Sequence, residues 1–497
     1  MFYRCDPGFI CILLLLCLSG SLQGQGWERA YGNEFDDAAN QVLQTQDGGF
    51  VFVGTTIESD SVSKDIYLVK TNATGLVQWS TTIGSAGFSE FGNAIAALPD
   101  GYILAGNAAL DGYSRILLAR TDLSGNVLWT QLSLDDSVGV RSIEVTTDGF
   151  ALLGARYQTI SDGNGNSQFD SDLLFIKTNW DGQEQWRYTY GGAELDEGYD
   201  LYVDPNGNFM LAGYTKSFGS GDFDALLIRL NPTGQELWAH TYGDGFANLA
   251  YALAPLADTA FVLTGQYNAS GPSGNDIFLA VIDTAGQQQS FLPILEAGET
   301  IPRSIQVSSE GGFLLTGETQ LTLNDDRNVF LQKFDAQGNV LWQKTYGGTL
   351  GDGGKHLIQP NANSILIAGF TRSIGAGNAD AYLIHTDSLG VSFPGRLVGQ
   401  VFFDQDLDCY SDGSEAGVPQ AALFIEGEEK YYLFTDTSGH FSIHLDTGSY
   451  TVSVVPPAPY WESCFADSLI QVNPGFDSVL LDFPLQPLYD CPWIQTS

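Results

Sequence analysis

Residues 172–191 read DLLFIKTNWDGQEQWRYTYG, and residues 224–243, 52 positions further on, read DALLIRLNPTGQELWAHTYG. Each stretch is an apolar run after Asp, a Gly-containing turn, and a second run that holds Trp and ends in Tyr-Gly. Short apolar runs separated by Gly/Asn/Asp turns, with no helical period, are the pattern of paired β-strands. The same unit recurs in both directions along the chain. Trp27, Trp79, Trp129, Trp186, Trp238 and Trp342 lie 52, 50, 57, 52 and 104 residues apart. The last gap spans a copy in which Ser290 and Phe291 stand at the Trp place. Each internal Trp follows a glycine by four residues (Gly75, Gly125, Gly182, Gly234, Gly338), and Gly286 and Gly390 hold that place in two degenerate copies, making seven units.

Two further strands precede this pair in each unit. The first is weakly apolar, as in ANQVLQT (39–45); the second is strongly apolar, as in FVFVGTT (50–56), GYILAGN (101–107) and GFLLTGET (312–319). Four strands in each of seven units predict an all-β fold, a seven-bladed β-propeller over residues 27–393. Trp27 opens an extra copy of the fourth strand, whereas the last copy carries Pro394 where Trp belongs, and proline breaks a ladder. The Trp27 strand is therefore expected to complete the seventh blade and close the ring; the alternative is an open solenoid.

Tyr190-Gly191-Gly192, Tyr346-Gly347-Gly348, Asp47-Gly48-Gly49-Phe50, Gly311-Gly312-Phe313 and the internal Trp residues carry a resemblance. They resemble the YGG/DGG/Trp β-propeller repeats common in secreted and surface proteins of Bacteroidetes-type bacteria. That resemblance implies a scaffold and no particular reaction.

The chain has 59 acidic and 20 basic side chains, a net charge of −39. Such a surface excludes sequence-independent binding to nucleic acid or to anionic membranes, both of which need basic patches. Residues 1–24 read as a signal peptide: Arg4, the apolar run Phe9 to Leu18, then small residues. A lipoprotein reading is weaker, because Leu16 precedes Cys17 where a small residue is expected. No later segment is apolar enough for a membrane span, so the expected location is extracellular or at the cell surface, as a monomer. Of the mature cysteines, Cys409 and Cys464 fall in one small region and are the preferred disulfide, which leaves Cys491 over. The tail at 488–497 can be read as the start of a following domain.

After Pro394 the repeat stops, and residues 396–487 read as a different β domain. Its expected strands are RLVGQVFFD, AALFIEG, KYYLFTD, HFSIHLD, SYTVSVVP and SVLLDFPL. The run GQVFFDQDLDCYSDGSEAGVPQAALFI with FTDTSGHFSIHLDTGSYTVSV resembles the B-type domains of serine–aspartate-repeat adhesins and related prealbumin-like sandwiches. An Ig-like β-sandwich acting as a spacer or adhesion module is what the resemblance implies.

Within this module Asp404, Asp406, Asp408, Asp412 and Glu415 stand at positions 1, 3, 5, 9 and 12 of a twelve-residue stretch, with the Tyr410 carbonyl at 7. This is the ligand spacing of a calcium loop, in which alternate side chains turn inward and hard oxygens surround the ion. Cys409 at position 6 departs from the glycine such loops use for their sharp turn. The competing reading is a solvated acidic turn. The resemblance also implies calcium here, since B-type domains bind it through this region. A weaker candidate is Asp162, Asn164, Asn166 and Asp170, at positions 1, 3, 5 and 9 of an insertion in the third unit, with a flexible Gly/Asn loop as its alternative.

Other features read as structural. The Asp before strand three (Asp65, Asp172, Asp224, Asp276, Asp380) is expected to bond turn amides rather than line a channel. The Trp residues are expected to pack blade on blade rather than stack on sugars. GDGGK (351–355) lacks the features of a phosphate loop and reads as a turn. His440 and His444 are about 13 Å apart on one strand, at ~3.3 Å per residue, too far for one zinc ion.

Two functions remain. The first is a non-catalytic extracellular binding or adhesion protein whose partner is a protein or glycan. The second is a secreted glycan hydrolase or lyase that uses carboxylates in the central funnel. Units of nearly constant length and one consensus favour the first. The funnel lining discriminates between them: non-repeated Arg, His and carboxylates would favour an enzyme, small consensus residues a scaffold.

Overall fold

The computed structural model describes residues 26–488 except 58–62, 86, 162–166, 221, 257–258, 269–275, 296–297, 321–325, 393–394, 412–414, 428–429, 446–447, 459, 466 and 473–478. The segment 1–24 and Cys491 therefore lie outside the described residues. Seven four-stranded antiparallel sheets follow one another along the chain, at 38–83, 89–132, 138–190, 196–242, 247–294, 299–346 and 353–387 with Trp27–Tyr31. An apolar cluster joins each sheet to the next, and one more joins the seventh to the first through Trp27, Ala39, Phe52 and Leu383. The sheets thus close into a ring, a β-propeller, and the open solenoid is excluded. Trp27–Tyr31 is the outer strand of the last sheet, with Trp27 opposite His385.

The burial of each strand explains its composition. The second strand is buried along its length, as at Phe50–Thr56, because neighbouring sheets cover both of its faces. The outer strand alternates, as at Val77–Ile83, because one face meets solvent. Opposite the outer-strand Trp stands a cation of strand three: Lys70, Arg120, Lys177, Arg229 and Lys333. Each of these reaches the acid of the turn between strands one and two (Asp47, Asp100, Asp148, Asp204, Glu310) at 2.5–3.0 Å. Where Trp is lost, Ser290 faces Val281, so the cation is lost with it. The Trp rings pack across the seam onto the turn glycine of the next sheet. A Cβ on Gly125 would lie 2.5 Å from Trp79, and one on Gly234 2.6 Å from Trp186. The Tyr of Tyr-Gly crosses the same seam: Tyr31, Tyr242 and Tyr346 donate to the carbonyls of Gly75, Gly286 and Gly390 at 2.7–2.9 Å.

One feature repeats in all seven inner strands. Their register slips by one residue at Asn40, Asn93, Arg141, Tyr199, Tyr251, Arg303 and Lys355. This is a β-bulge, which leaves one residue unpaired and re-aims it. Opposite each bulge stands the glycine of strand two, among them Gly54, Gly154 and Gly213. A Cβ there would lie within 1.7–1.9 Å of an inner-strand carbonyl oxygen.

Residues 395–487 form two further sheets. One holds Gly395–Phe403, His440–Leu445, Phe483–Pro487, Trp461–Ser463 and Val479–Leu480; the other holds Lys430–Phe434, Ala422–Glu426, Gly448–Val455 and Ser468–Val472. Leu397, Val401, Leu423, Ile425, Phe441, Val452 and Phe483 share one buried core, giving a β-sandwich-like unit. Expectation and structure differ in detail here. The run 478–485 divides into two short strands, both parallel to Gly395–Phe403, and Trp461–Ser463 and Ser468–Val472 are additional. Cys409 and Cys464 are disulfide-bonded, with Cα atoms 6.0 Å apart.

Candidate functional site

The acidic loop leaves the end of the strand Gly395–Phe403. Asp404, Asp406 and Asp408 each bring a carboxylate oxygen within 4.8 Å of the others. Asp404 is buried, and its carboxylate accepts the Leu407 and Cys409 amides at 2.8 and 2.9 Å and Gln486 Nε2 at 2.6 Å. Burial works against its ionised form, but these bonds outweigh it and hold Asp404 below the usual carboxylate range. Asp406 is raised, first by desolvation and then by the charges of Asp408 and Asp404. Glu415 reaches back and accepts the Gln405 amide at 3.0 Å. Cys409 makes the sharp turn without glycine: its φ is +65°, and the disulfide to Cys464 secures it there. Asp412 lies outside the described residues.

Of the second candidate set, Asp162, Asn164 and Asn166 also lie outside them. The insertion lengthens a hairpin, Gly149–Ser161 against Ser167–Thr178. Asp170 sits within this ladder opposite Gln158, buried, and accepts Gln158 Nε2 at 2.8 Å.

The Asp before strand three stands at the seams. Asp65, Asp172 and Asp224 press on Gly84, Gly191 and Gly243, and Asp380 accepts the Gly377 amide at 3.0 Å. None of the five lines the central cavity.

That cavity, of about 520 Å³, is lined by the inner strands, and every bulge residue faces it. Asn40 and Asn93 use the position structurally, donating to the Gly92 and Val140 carbonyls of the next sheet at 2.7 and 2.8 Å. The other five break the repeat and touch one another in sequence. The Arg141 guanidinium lies 4.0 Å from the Tyr199 ring centre, Tyr199 lies 4.9 Å from Tyr251, and Arg303 lies 5.5 Å from Tyr251. Arg303 and Lys355 then meet at Glu318, at 3.5 and 2.6 Å. Arg141 pairs with Glu197. Lys355 thus belongs to the inner strand Gly353–Asn361, not to a turn as GDGGK suggested. This arc is absent from the candidates read off the sequence. The signal was present: 13 or 14 residues before the strand-two glycine the units read Asn, Asn, Arg, Tyr, Tyr, Arg, Lys.

Further along the channel the side chains stitch neighbouring sheets together. Gln41, Asp200 and Ser304 accept the amides of Ile95, Leu253 and Leu357 at 2.7, 2.8 and 3.2 Å. Asp200 is raised to about 6 by burial, against its two backbone hydrogen bonds. Burial pushes His356 down to about 4, so its imidazole is neutral at physiological pH. Glu144 is raised to about 7, by burial first and then by Asp200.

Glu144 sets a pH dependence. Its folded-state value is above that of the unfolded chain, so its contribution is fully present below about 4.5 and is lost as pH rises through about 7. Glu144→Gln is expected to raise stability at pH 8 by roughly 2 kcal/mol and to leave it unchanged near pH 4. Denaturant melts at the two pH values check this.

No protein-family model and no curated protein matches the chain. Solved structures similar to it include a protein of unknown function from Dyadobacter fermentans, at 13% identity over 73% of this chain and 98% of that one, TM-score 0.42. YCF48 bound to D1 peptide is similar at 10% identity, over 74% and 99%, TM-score 0.44. PorZ, a surface component of the type-IX secretion system of Porphyromonas gingivalis, is similar at 12% identity, over 89% and 60%, TM-score 0.37.

Proposed function

We propose that this chain is an exported, non-catalytic binding or scaffold protein, secreted or held at the cell surface, whose propeller takes an extracellular protein or glycan in its central channel. The observation that carries this reading is the arc of Arg141, Tyr199, Tyr251, Arg303 and Lys355, which departs from the repeat only where the ring opens inward. Packing alone asks for asparagine there, as Asn40 and Asn93 illustrate. The arc lacks a free base: Glu197 is held by Arg141, and Glu318 by Lys355, Arg303 and Arg327. The acidity elsewhere and the Cys409–Cys464 disulfide suit an oxidising compartment and a monomer outside the cell. Nucleic acid and membrane insertion have no place in it. A glycan and peptide array tests the reading: wild type is expected to capture a partner that an Arg141→Lys, Arg303→Lys, Lys355→Gln variant does not. Equal capture by both would end it.

The C-terminal unit is proposed to be calcium-stabilised. Asp404, Asp406 and Asp408 fit a hard divalent cation, because their clustered donors are all carboxylate oxygens. Asp412 and Glu415 would complete the set by spacing. Bound calcium would neutralise the mutual repulsion that raises Asp406. Added calcium is expected to raise the melting temperature of the wild type and not that of Asp406→Ala/Asp408→Ala; equal shifts in both would refute the site.

The second reading, a secreted glycan hydrolase or lyase, has as its support the non-repeated Arg141, Arg303, His356, Glu144 and Asp200 of the channel, the kind of lining that favours an enzyme over small consensus residues. Glu144, raised to about 7, suits general acid–base work. Against it, Asp200 is occupied by the amides of Leu201 and Leu253.

A further inference from the structure

We infer that the channel arc is a binding site for an organic carboxylate, a small acid or the acidic unit of a sugar chain. The inference rests on the reading of the channel as the binding site and adds the chemistry of its occupant.

The chain carries −39 in net charge with only 20 cations. Five hold the turn acids of the repeat. Yet Arg141, Arg303 and Lys355 come from three different inner strands to one cavity. Their arrangement relative to the acids settles which charge a ligand meets. The three cationic side chains are 28–34% exposed, whereas Glu197 and Glu318 are 9% and 7% exposed. Glu197 and Glu318 lie behind the cations and orient them, and the cations face the channel. The channel's own acids, Glu144 and Asp200, stand further along it, with Asp200 turned to the Leu201 and Leu253 amides. Arg303, Arg327 and Lys355 share Glu318, and only Arg327 has a second acid, Glu299 at 2.7 Å, so three cations meet two carboxylates there.

Nε of each guanidinium is closed to the channel, so a ligand meets the exposed remainder of the group. Nε of Arg141 is buried and makes no hydrogen bond. Nε of Arg303 is likewise buried, 3.5 Å from Glu318 without hydrogen-bond geometry. A guanidinium presents a planar fork that matches a carboxylate, whereas an ammonium is a point charge. Two forks joined by Tyr199 and Tyr251 make a surface with charge at its ends and aromatic faces between. That combination suits a carboxylate attached to a ring or other apolar body. A cavity of about 520 Å³ falls within the usual range for small-molecule sites.

The test uses the full chain with sodium glucuronate, trigalacturonate, sodium benzoate, inorganic phosphate and glucose, by calorimetry and thermal shift. The carboxylates are expected to bind with Kd of about a millimolar or tighter, and phosphate and glucose at least tenfold more weakly. Arg141→Lys/Arg303→Lys keeps the charge and removes both forks, and is expected to weaken carboxylate binding tenfold or more. Lys355→Gln, which leaves Glu318 paired with Arg303 and Arg327, supplies a second variant should the first fail to fold. Tighter binding of trigalacturonate than of glucuronate assigns the site to an acidic sugar chain; equal binding of glucuronate and benzoate assigns it to free acids. The inference is overturned if no carboxylate binds, if phosphate binds as well as the carboxylates, or if folded variants bind like wild type. Array capture that depends on the arc while every carboxylate fails would overturn this inference and leave the binding reading standing.

Discussion

Trp27→Ala is expected to destabilise the ring by about 3–5 kcal/mol, the range for a buried large aromatic. Trp27 is 3% exposed and belongs to the cluster that joins the last sheet to the first. Its ring stacks on His385 at 5.4 Å, and its indole N–H donates to the Ala73 carbonyl across the seam. The rest of the strand makes the same crossing. Arg29 Nε donates to Thr74 O at 2.9 Å and Tyr31 to Gly75 O at 2.7 Å, while Glu28 accepts from Tyr382 and from Ser392 Oγ on its own sheet. Deleting 26–31 would remove all of these and leave the sheet of residues 353–387 with three strands. A terminal strand in an open array would fray at little expense; one that closes a ring should not. Leu134→Ser, at a residue 97% exposed, is the control and is expected to change stability by less than about 0.5 kcal/mol. Denaturant melts compare the variants; a Trp27→Ala protein as stable as the control variant would contradict ring closure.

Cys464→Ser is the second large effect, about 4 kcal/mol lost from the C-terminal unit. The bond links residues 55 apart, and loop-closure entropy for that length gives this figure. The consequence is local. Cys409 sits in a left-handed conformation within the acidic loop, beside the Asp404 carboxylate that accepts its amide. Without the tether nothing covalent maintains that turn, so the Asp404, Asp406 and Asp408 oxygens should no longer be held together. The variant is therefore expected to melt earlier in its C-terminal part, seen in the fluorescence of Trp461 against Phe403 at 4.4 Å, and to respond less to calcium. Dithiothreitol added to the wild type should reproduce both changes. An unaltered melt in the reduced protein would contradict the tether.

The ring was legible because its signals are repeated and local. Central strands such as Phe50–Thr56 are apolar throughout, outer strands alternate, and Trp with its turn glycine marks each unit. Trp27 in surplus and Pro394 in deficit were enough to expect closure. The clustering of Asp404, Asp406 and Asp408 was legible for a similar reason, since they are close in sequence. What escaped was the channel. Its five residues lie 52 or more positions apart in the chain, one to a strand, in strands that are themselves weakly apolar and look unremarkable. Only the bulge turns them inward, and its sequence mark, a glycine inside every second strand, is explained by backbone contact with the inner strand and not by any turn. In the C-terminal unit the short strand Trp461–Ser463 was missed because three residues carry no period, and the break of the run 478–485 into Val479–Leu480 and Phe483–Pro487 has no mark in the sequence. The Lys and Arg opposite the five internal Trp were visible as residues but not as partners of the turn acids, since their pairing depends on strand register.

The central claim is that the channel binds its partner and leaves it unaltered. Mass spectrometry of the array-captured partner after prolonged incubation with wild type and with Glu144→Gln tests this most directly. The expected result is an intact partner in both, with capture by both and by neither when Arg141 and Arg303 are lysine. A partner cleaved or desaturated by wild type and intact with Glu144→Gln would contradict the claim and assign the channel to catalysis.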